Sequence, residues 1–202
     1  MFSYYGTKRA LASYYDPPRY KTIIEPFAGA AAYSCLYPDR DVFLFDTDPI
    51  IVTTWQYLIK ANRKDILDLP DLPIGSRCDS LDIPEGARYL MGFFANPGSA
   101  QPKITATARS NWGRARSDLA NRVDAINHWI IELGSWNTID PQTPATWFID
   151  PPYQHAGKWY RHGSGSIDFI DLGSFCNCCF GQVIVCEQLG ADWLPFTPFK
   201  HI

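Results

Sequence analysis

The sequence predicts an α/β fold with a doubly wound, mostly parallel sheet. Short apolar runs recur at 21–27, 41–48, 145–150 and 181–187. Segments of helical or small-residue character separate them, an alternation that parallel crossover units produce. The runs also stop at acids: Glu25, Asp46, Asp150 and Glu187. Open parallel sheets bind ligands beyond the carboxyl ends of their strands, so acids repeated there predict a polar ligand site.

In order along the chain, "KTIIEPF" (21–27) reads as a strand, "AGAAAYSCLY" (28–37) as a helix and "DVFLFDTD" (41–48) as the next strand. Asp48-Pro49 reads as a helix start, with Asp as N-cap and Pro at the first position. "IIVTTWQYLIKANRK" continues that helix. A strand over 76–84, a short helix over 86–96 and a Gly-, Ser-, Arg- and Pro-rich loop over 96–117 follow. In "SDLANRVDAINHWIIELG" (117–134), Leu119, Val123, Ile126, Ile130 and Leu133 recur at three-to-four spacing, which predicts a helix. Ser117 can cap its start and Gly134 can end it. "ATWFID" (145–150) is a buried strand, 166–180 a helix and "GQVIVCE" (181–187) a strand.

The 202 residues suit one domain, 46% apolar and 19% charged. A net charge of −3 gives no global attraction for a polyanion, so nucleic-acid binding requires a local basic face. Lys103, Arg109, Arg114, Arg116 and Arg122 form a candidate face, with a merely solvated surface as the alternative. The six cysteines include "CNCC" but lack a second pair at zinc spacing. We therefore expect no metal site, and buried free thiols in a reducing compartment. Residues 1–20 carry charges and prolines throughout, unlike a signal peptide, and no apolar run approaches the ~20 residues that span a bilayer. The expectation is a cytoplasmic protein, in a bacterium or a phage-infected host cell, with no membrane partner.

Three motifs carry chemistry. "EPFAGAAA" (25–32) offers small residues that let backbone approach a ligand. It lacks the glycine-lysine-serine/threonine ending of a phosphate loop and the three glycines of a dinucleotide loop. Asp46, ending the second strand, is placed to accept hydrogen bonds from a ribose diol. "DPPY" (150–153) combines an acid, two rigid residues and a flat ring. The acid and a carbonyl can accept the hydrogens of an exocyclic amino group, freeing its delocalised lone pair to attack. Tyr153 can stack on a base. Such a site acts by positioning and electrostatics.

"YYGTKR" (4–9), "EPFAGA" (25–30) and "DPPY" (150–153), in this order, resemble the adenine-N6 DNA methyltransferases of the Dam type. The resemblance implies a Rossmann-like methyltransferase fold, with S-adenosylmethionine as cofactor and DNA as partner. It assigns Tyr4, Lys8, Glu25, Pro26, Phe27, Gly29, Asp46 and Asp150 to cofactor binding. Asp150, Pro151, Pro152 and Tyr153 match the catalytic loop, which grips an adenine turned out of the duplex. Residues 85–140 are expected to form a small insertion for target recognition. Arg109, Trp112, Arg114, Arg116, Lys158 and Arg161 are candidates for nucleic-acid contact, with Trp112 equally suited to the core. Ala31 replaces a family glycine, a modest change provided the backbone there is not left-handed, and Thr7 stands where the family often has glycine. The chain after 187 is too short for the usual final hairpin, so the sheet ends early, finishes differently or uses a partner such as a second copy.

Two substrate alternatives remain: adenine in RNA, and cytosine N4. An acid at the head of the motif favours adenine. A third reading, from a different class, is an inactive cofactor- or nucleic-acid-binding module of the same fold.

Overall fold

The computed structural model describes residues 1–156 and 163–198. At its centre lies a five-stranded, all-parallel sheet: β1 (Thr22–Glu25), β2 (Asp41–Asp46), β3 (Ile130–Leu133), β4 (Ala145–Ile149) and β5 (Gly181–Val185). The order is β3-β2-β1-β4-β5. The α/β class with a parallel sheet is therefore as expected, and the order is compatible with a Rossmann-like fold. Strand order reverses at β1, which pairs with β2 on one side and β4 on the other. Ligand crevices form at such a reversal.

The helices are α1 (Pro49–Lys60), α2 (Arg63–Leu67), α3 (Glu85–Ala95), α4 (Trp112–Ala120) and α5 (Phe169–Cys178). Side chains alternate along a strand, so each strand feeds both faces. Ile23, Val42, Leu44 and Phe148 join a core under α1, α3 and α4. Ile24, Trp147 and Ile149 join a second core with Leu172, Phe175 and Cys176 of α5. Asp48 caps α1 as expected, accepting from the Ile50 amide at 3.0 Å, with Pro49 at the first position.

Three sequence expectations fail. The segment 117–134 is not one helix: α4 ends at Ala120, a 3-10 turn spans Val123–Ile126, and Ile130–Leu133 is β3, an edge strand beside β2. Leu119, Val123 and Ile126 are buried, but Ile130 and Leu133 are exposed, so the apolar spacing does not mark one buried face. The segment 28–37 holds only a short 3-10 turn at Ser34–Leu36, because Gly29 and Ala31 take positive φ (44° each), incompatible with a helix. The region 76–84 forms no strand beyond an isolated bridge, Arg77 to Thr105. α3 and α5 appear where expected, and α4 begins inside the expected loop.

Candidate active site

Four acids stand at the carboxyl ends of the strands, as the sequence implies. Asp150 follows β4 directly and faces a buried lysine 142 residues away in sequence. Lys8 Nζ lies 2.7 Å from Asp150 Oδ1 and 2.9 Å from Oδ2, and donates its aligned hydrogen bond to Oδ2. It also donates to the Gly6 carbonyl at 3.1 Å and sits 4.6 Å from the Tyr153 ring centre. Lys8 is 7% exposed. Burial alone lowers its basicity, but the adjacent Asp150 carboxylate outweighs that and raises its pKa, holding the ammonium charged. Burial pushes the Asp150 carboxyl upward, with Lys8 opposing and Glu187 reinforcing. Among the described residues, the buried Asp150 Oδ1 makes the ion contact with Lys8 but accepts no aligned hydrogen bond.

Tyr153 is half-buried, and burial followed by the Asp150 charge pushes its hydroxyl up to about 12. It therefore stays protonated and offers a ring rather than a base. Cys186 lies behind Asp150 and its Sγ donates to Tyr15 Oη at 3.3 Å. Burial raises that thiol well above its usual range, which removes it as a nucleophile.

Two cavities meet at Lys8. The first, about 250 Å³, is lined by residues 4–8 and 27–32, and by Glu25, Asp46, Asp48, Trp136, Phe148, Asp150 and Pro152 among others. The second, about 350 Å³, is lined by Tyr5, Gly6, Thr7, Lys8, Leu11, Tyr153 and Ala156. Residues 5–8 are thus the wall between them. Gly6 supplies the left-handed turn of this wall (φ 72°), while Thr7 has no positive φ and so needs no glycine.

The loop after β1 is shaped by neighbours far away in sequence. Gly29 donates from its amide to Asp46 Oδ2 at 3.0 Å and accepts at its carbonyl from Trp55 Nε1 at 2.8 Å. A Cβ there would lie 3.3 Å from the Tyr4 ring, a tight approach, and φ of 44° favours glycine. Ala31, at φ 44°, does sit in the left-handed region. Alanine at that position is therefore strained by roughly 1 kcal/mol.

Tyr4, Lys8, Glu25, Phe27, Gly29, Asp46, Asp150 and Pro152 all line the first cavity. Tyr153 lines the second. Pro26 and Pro151 line neither; Pro26 and Pro151 are buried. Glu25 is 2% exposed, and its Oε1 accepts from the Ser34 amide at 2.9 Å and the Ser34 hydroxyl at 2.6 Å. Burial lifts its carboxyl to about 7 against those bonds.

The expected nucleic-acid face fares differently. Trp112 is 1% exposed and donates from Nε1 to the Pro70 carbonyl at 2.9 Å, so it belongs to the core and cannot stack on a base. Arg116 bonds to the Leu69 carbonyl and pairs with Asp71 at 2.7 Å, which ties it to the loop after α2. Arg109 and Arg114 are exposed. None of these four lines either cavity. Lys158 and Arg161 lie outside the described residues. Among the described residues, no His, Cys, Asp and Glu group could hold a metal, and no helix is long and apolar enough to cross a membrane. All six cysteines are free; Cys178 is exposed and Cys35 and Cys179 are half-buried, against the expectation that the thiols are buried.

Sequence reasoning missed the contact of Lys8 with Asp150 and the bonds made by Glu187. The only signals for these were a charged residue inside an aromatic motif and an acid at a strand end. Comparison with family models and with curated proteins finds no match.

Proposed function

We propose that the chain transfers a methyl group from S-adenosylmethionine to the N6 amino group of adenine in DNA. The observation that carries this reading is the pair of cavities back to back across Lys8, with Asp150 on the first, Tyr153 on the second, and the Lys8 ammonium in contact with both. A two-substrate transfer needs a donor space and an acceptor space meeting at one polar atom.

The residues of the first cavity fit the cofactor. Gly29 lets the Tyr4 ring close against the loop after β1, both residues line the cavity, and Asp46 stands at the end of β2. Asp46 accepts from two backbone amides, Gly29 on Oδ2 and Asp48 on Oδ1 at 2.8 Å, which fixes the orientation of its carboxylate at the mouth of the cavity. When bound, S-adenosylmethionine supplies a methyl group made electrophilic by its sulfonium.

In this reading Tyr153 stacks on the extruded base. Asp150 Oδ1 accepts one N–H of the amino group, which turns the nitrogen lone pair toward the donor space. Lys8 keeps the carboxylate charged and in place. The methylated nitrogen then releases its surplus proton to solvent, so no histidine or covalent intermediate is required. Arg109 and Arg114 remain the candidates for phosphate contact.

Ala31 favours one competing reading, a module of this fold without catalysis, because its strained turn lies in the donor cavity. Calorimetric titration with S-adenosylmethionine separates the two, since absence of binding supports the inactive module. The substrate is tested with duplex DNA, single-stranded DNA and RNA, each incubated with labelled cofactor and digested to nucleosides. The expected product is N6-methyldeoxyadenosine. Label found only in RNA, or only in N4-methylcytosine, would reassign the substrate.

A further inference from the structure

We propose that Glu187 is a positioning residue: it clamps the end of the catalytic loop to the segment after β5, so that residues 187–194 set the geometry of residues 150–154. The proposal rests on the methyltransferase reading for its catalytic consequence, but its structural content stands apart from that reading.

Glu187 lies two residues beyond β5, beside the β4 end that carries Asp150, because Ile149 is in register with Val185. Its carboxylate collects donors from three places. Oε2 accepts from the Gln154 amide at 3.1 Å and from Trp193 Nε1 at 2.9 Å, and Oε1 accepts from the Gln188 amide at 2.7 Å. Gln154 is held a second time, its Nε2 donating to Asp192 Oδ1 at 3.1 Å. The residue that follows the "DPPY" tetrapeptide is therefore tied at both its backbone and its side chain to the segment after β5.

That segment is itself anchored. The Trp193 ring packs against Phe169 at 5.4 Å and Phe196 at 5.0 Å between centres. Gly173 of α5 allows the approach, since a Cβ there would lie 2.9 Å from the Trp193 carbonyl oxygen. The chain after β5 thus runs back over α5 and onto the catalytic loop. Hydrogen bonds to a charged acceptor are the stronger kind, worth about twice a neutral one. A loop whose proline-rich part has few amide donors has few other ways to be held. Displacement of a reacting group by about 1 Å can cost a hundredfold in rate.

Two variants test the clamp. Trp193→Phe removes one donor and keeps the ring. Glu187→Gln removes the charge and an acceptor while keeping the shape. Amide hydrogen exchange reads the loop directly. Both variants are expected to speed exchange across 150–156 about tenfold and leave 41–60 unchanged. The double variant is expected to add little, because both changes break one contact. In methyl transfer, kcat is expected to fall about ten- to a hundredfold while the S-adenosylmethionine Kd stays within about twofold. Unchanged exchange at 150–156 in both variants overturns the clamp. So does an equal rise at 41–60, which would mean a general loss of stability. If the wild-type protein transfers no methyl group to any nucleic acid, the functional reading falls, and the exchange result still decides the clamp.

Discussion

The ends of β1 and β4 lie side by side, and each presents a carboxylate to the same cleft. Their fates differ. Glu25 turns toward Ser34 and is satisfied by a neutral hydroxyl and an amide. Asp150 is met by the Lys8 ammonium and keeps Oδ1 without a hydrogen bond among the described residues. A strand end places an acid near a ligand, but the partner it finds decides whether it shapes the loop or faces the chemistry. The comparison assigns Glu25 to holding the turn and leaves Asp150, paired with Lys8, as the carboxylate for the proposed reaction.

The largest effect expected from breaking this contrast is on activity. Asp150→Ala should lower methyl incorporation into DNA at least about a hundredfold, the scale of losing one preorganised polar group. Cofactor binding by calorimetry should persist. Next comes stability. Lys8→Met leaves the Asp150 carboxylate buried without its counter-ion and should cost about 3–5 kcal/mol in denaturant unfolding. The double variant Lys8→Met, Asp150→Leu should recover most of that loss, since an apolar pair of similar volume replaces a buried ion pair at little cost.

Glu25 sharpens the contrast through pH. Its carboxyl rises from 4.5 in the ordinary state to about 7 in the fold, so the folded protein binds that proton more tightly. Its contribution to stability therefore falls as pH rises through that window, by on the order of 3 kcal/mol in all. Glu25→Gln removes the slope, so the variant should gain on wild type between those limits, as read from unfolding midpoints at several pH values. The smallest effect expected is at Ala31. Ala31→Gly relieves roughly 1 kcal/mol of left-handed strain. It gives up about 0.8 kcal/mol of methyl burial and adds about 0.4–1 kcal/mol of unfolded-chain entropy. The net change should stay within about 1 kcal/mol, and a larger gain in Tm would show that the turn is strained beyond its φ.

Four of the five strands were legible because buried parallel strands are short, apolar and end abruptly. β3 was not, because Ile126, Ile130 and Leu133 satisfy helical spacing as well as a strand. An edge strand with exposed Ile130 and Leu133 gives no alternation to break the tie. The turn at 28–37 was misread because alanine favours helices, while Asp46 and Trp55, distant in sequence, hold Gly29 in a left-handed turn. At the site, the tetrapeptide at 150–153 announced itself by its prolines. The pairing of Lys8 with Asp150 joins residues 142 apart, and its only local trace is a charge inside an aromatic motif. The short end after β5 raised the question of how the sheet finishes. Among the described residues it adds no strand; Glu187, held by Trp193, ties it back to Gln154 beside the 150–153 tetrapeptide.

The most direct measurement is nucleoside mass analysis of unmodified duplex DNA after incubation with labelled S-adenosylmethionine and either wild-type protein or Asp150→Asn. The expected result is labelled N6-methyldeoxyadenosine with wild type and almost none with the variant. Equal labelling by both proteins, or no labelled adenine with wild type, would contradict the role assigned to Asp150 and the reaction itself.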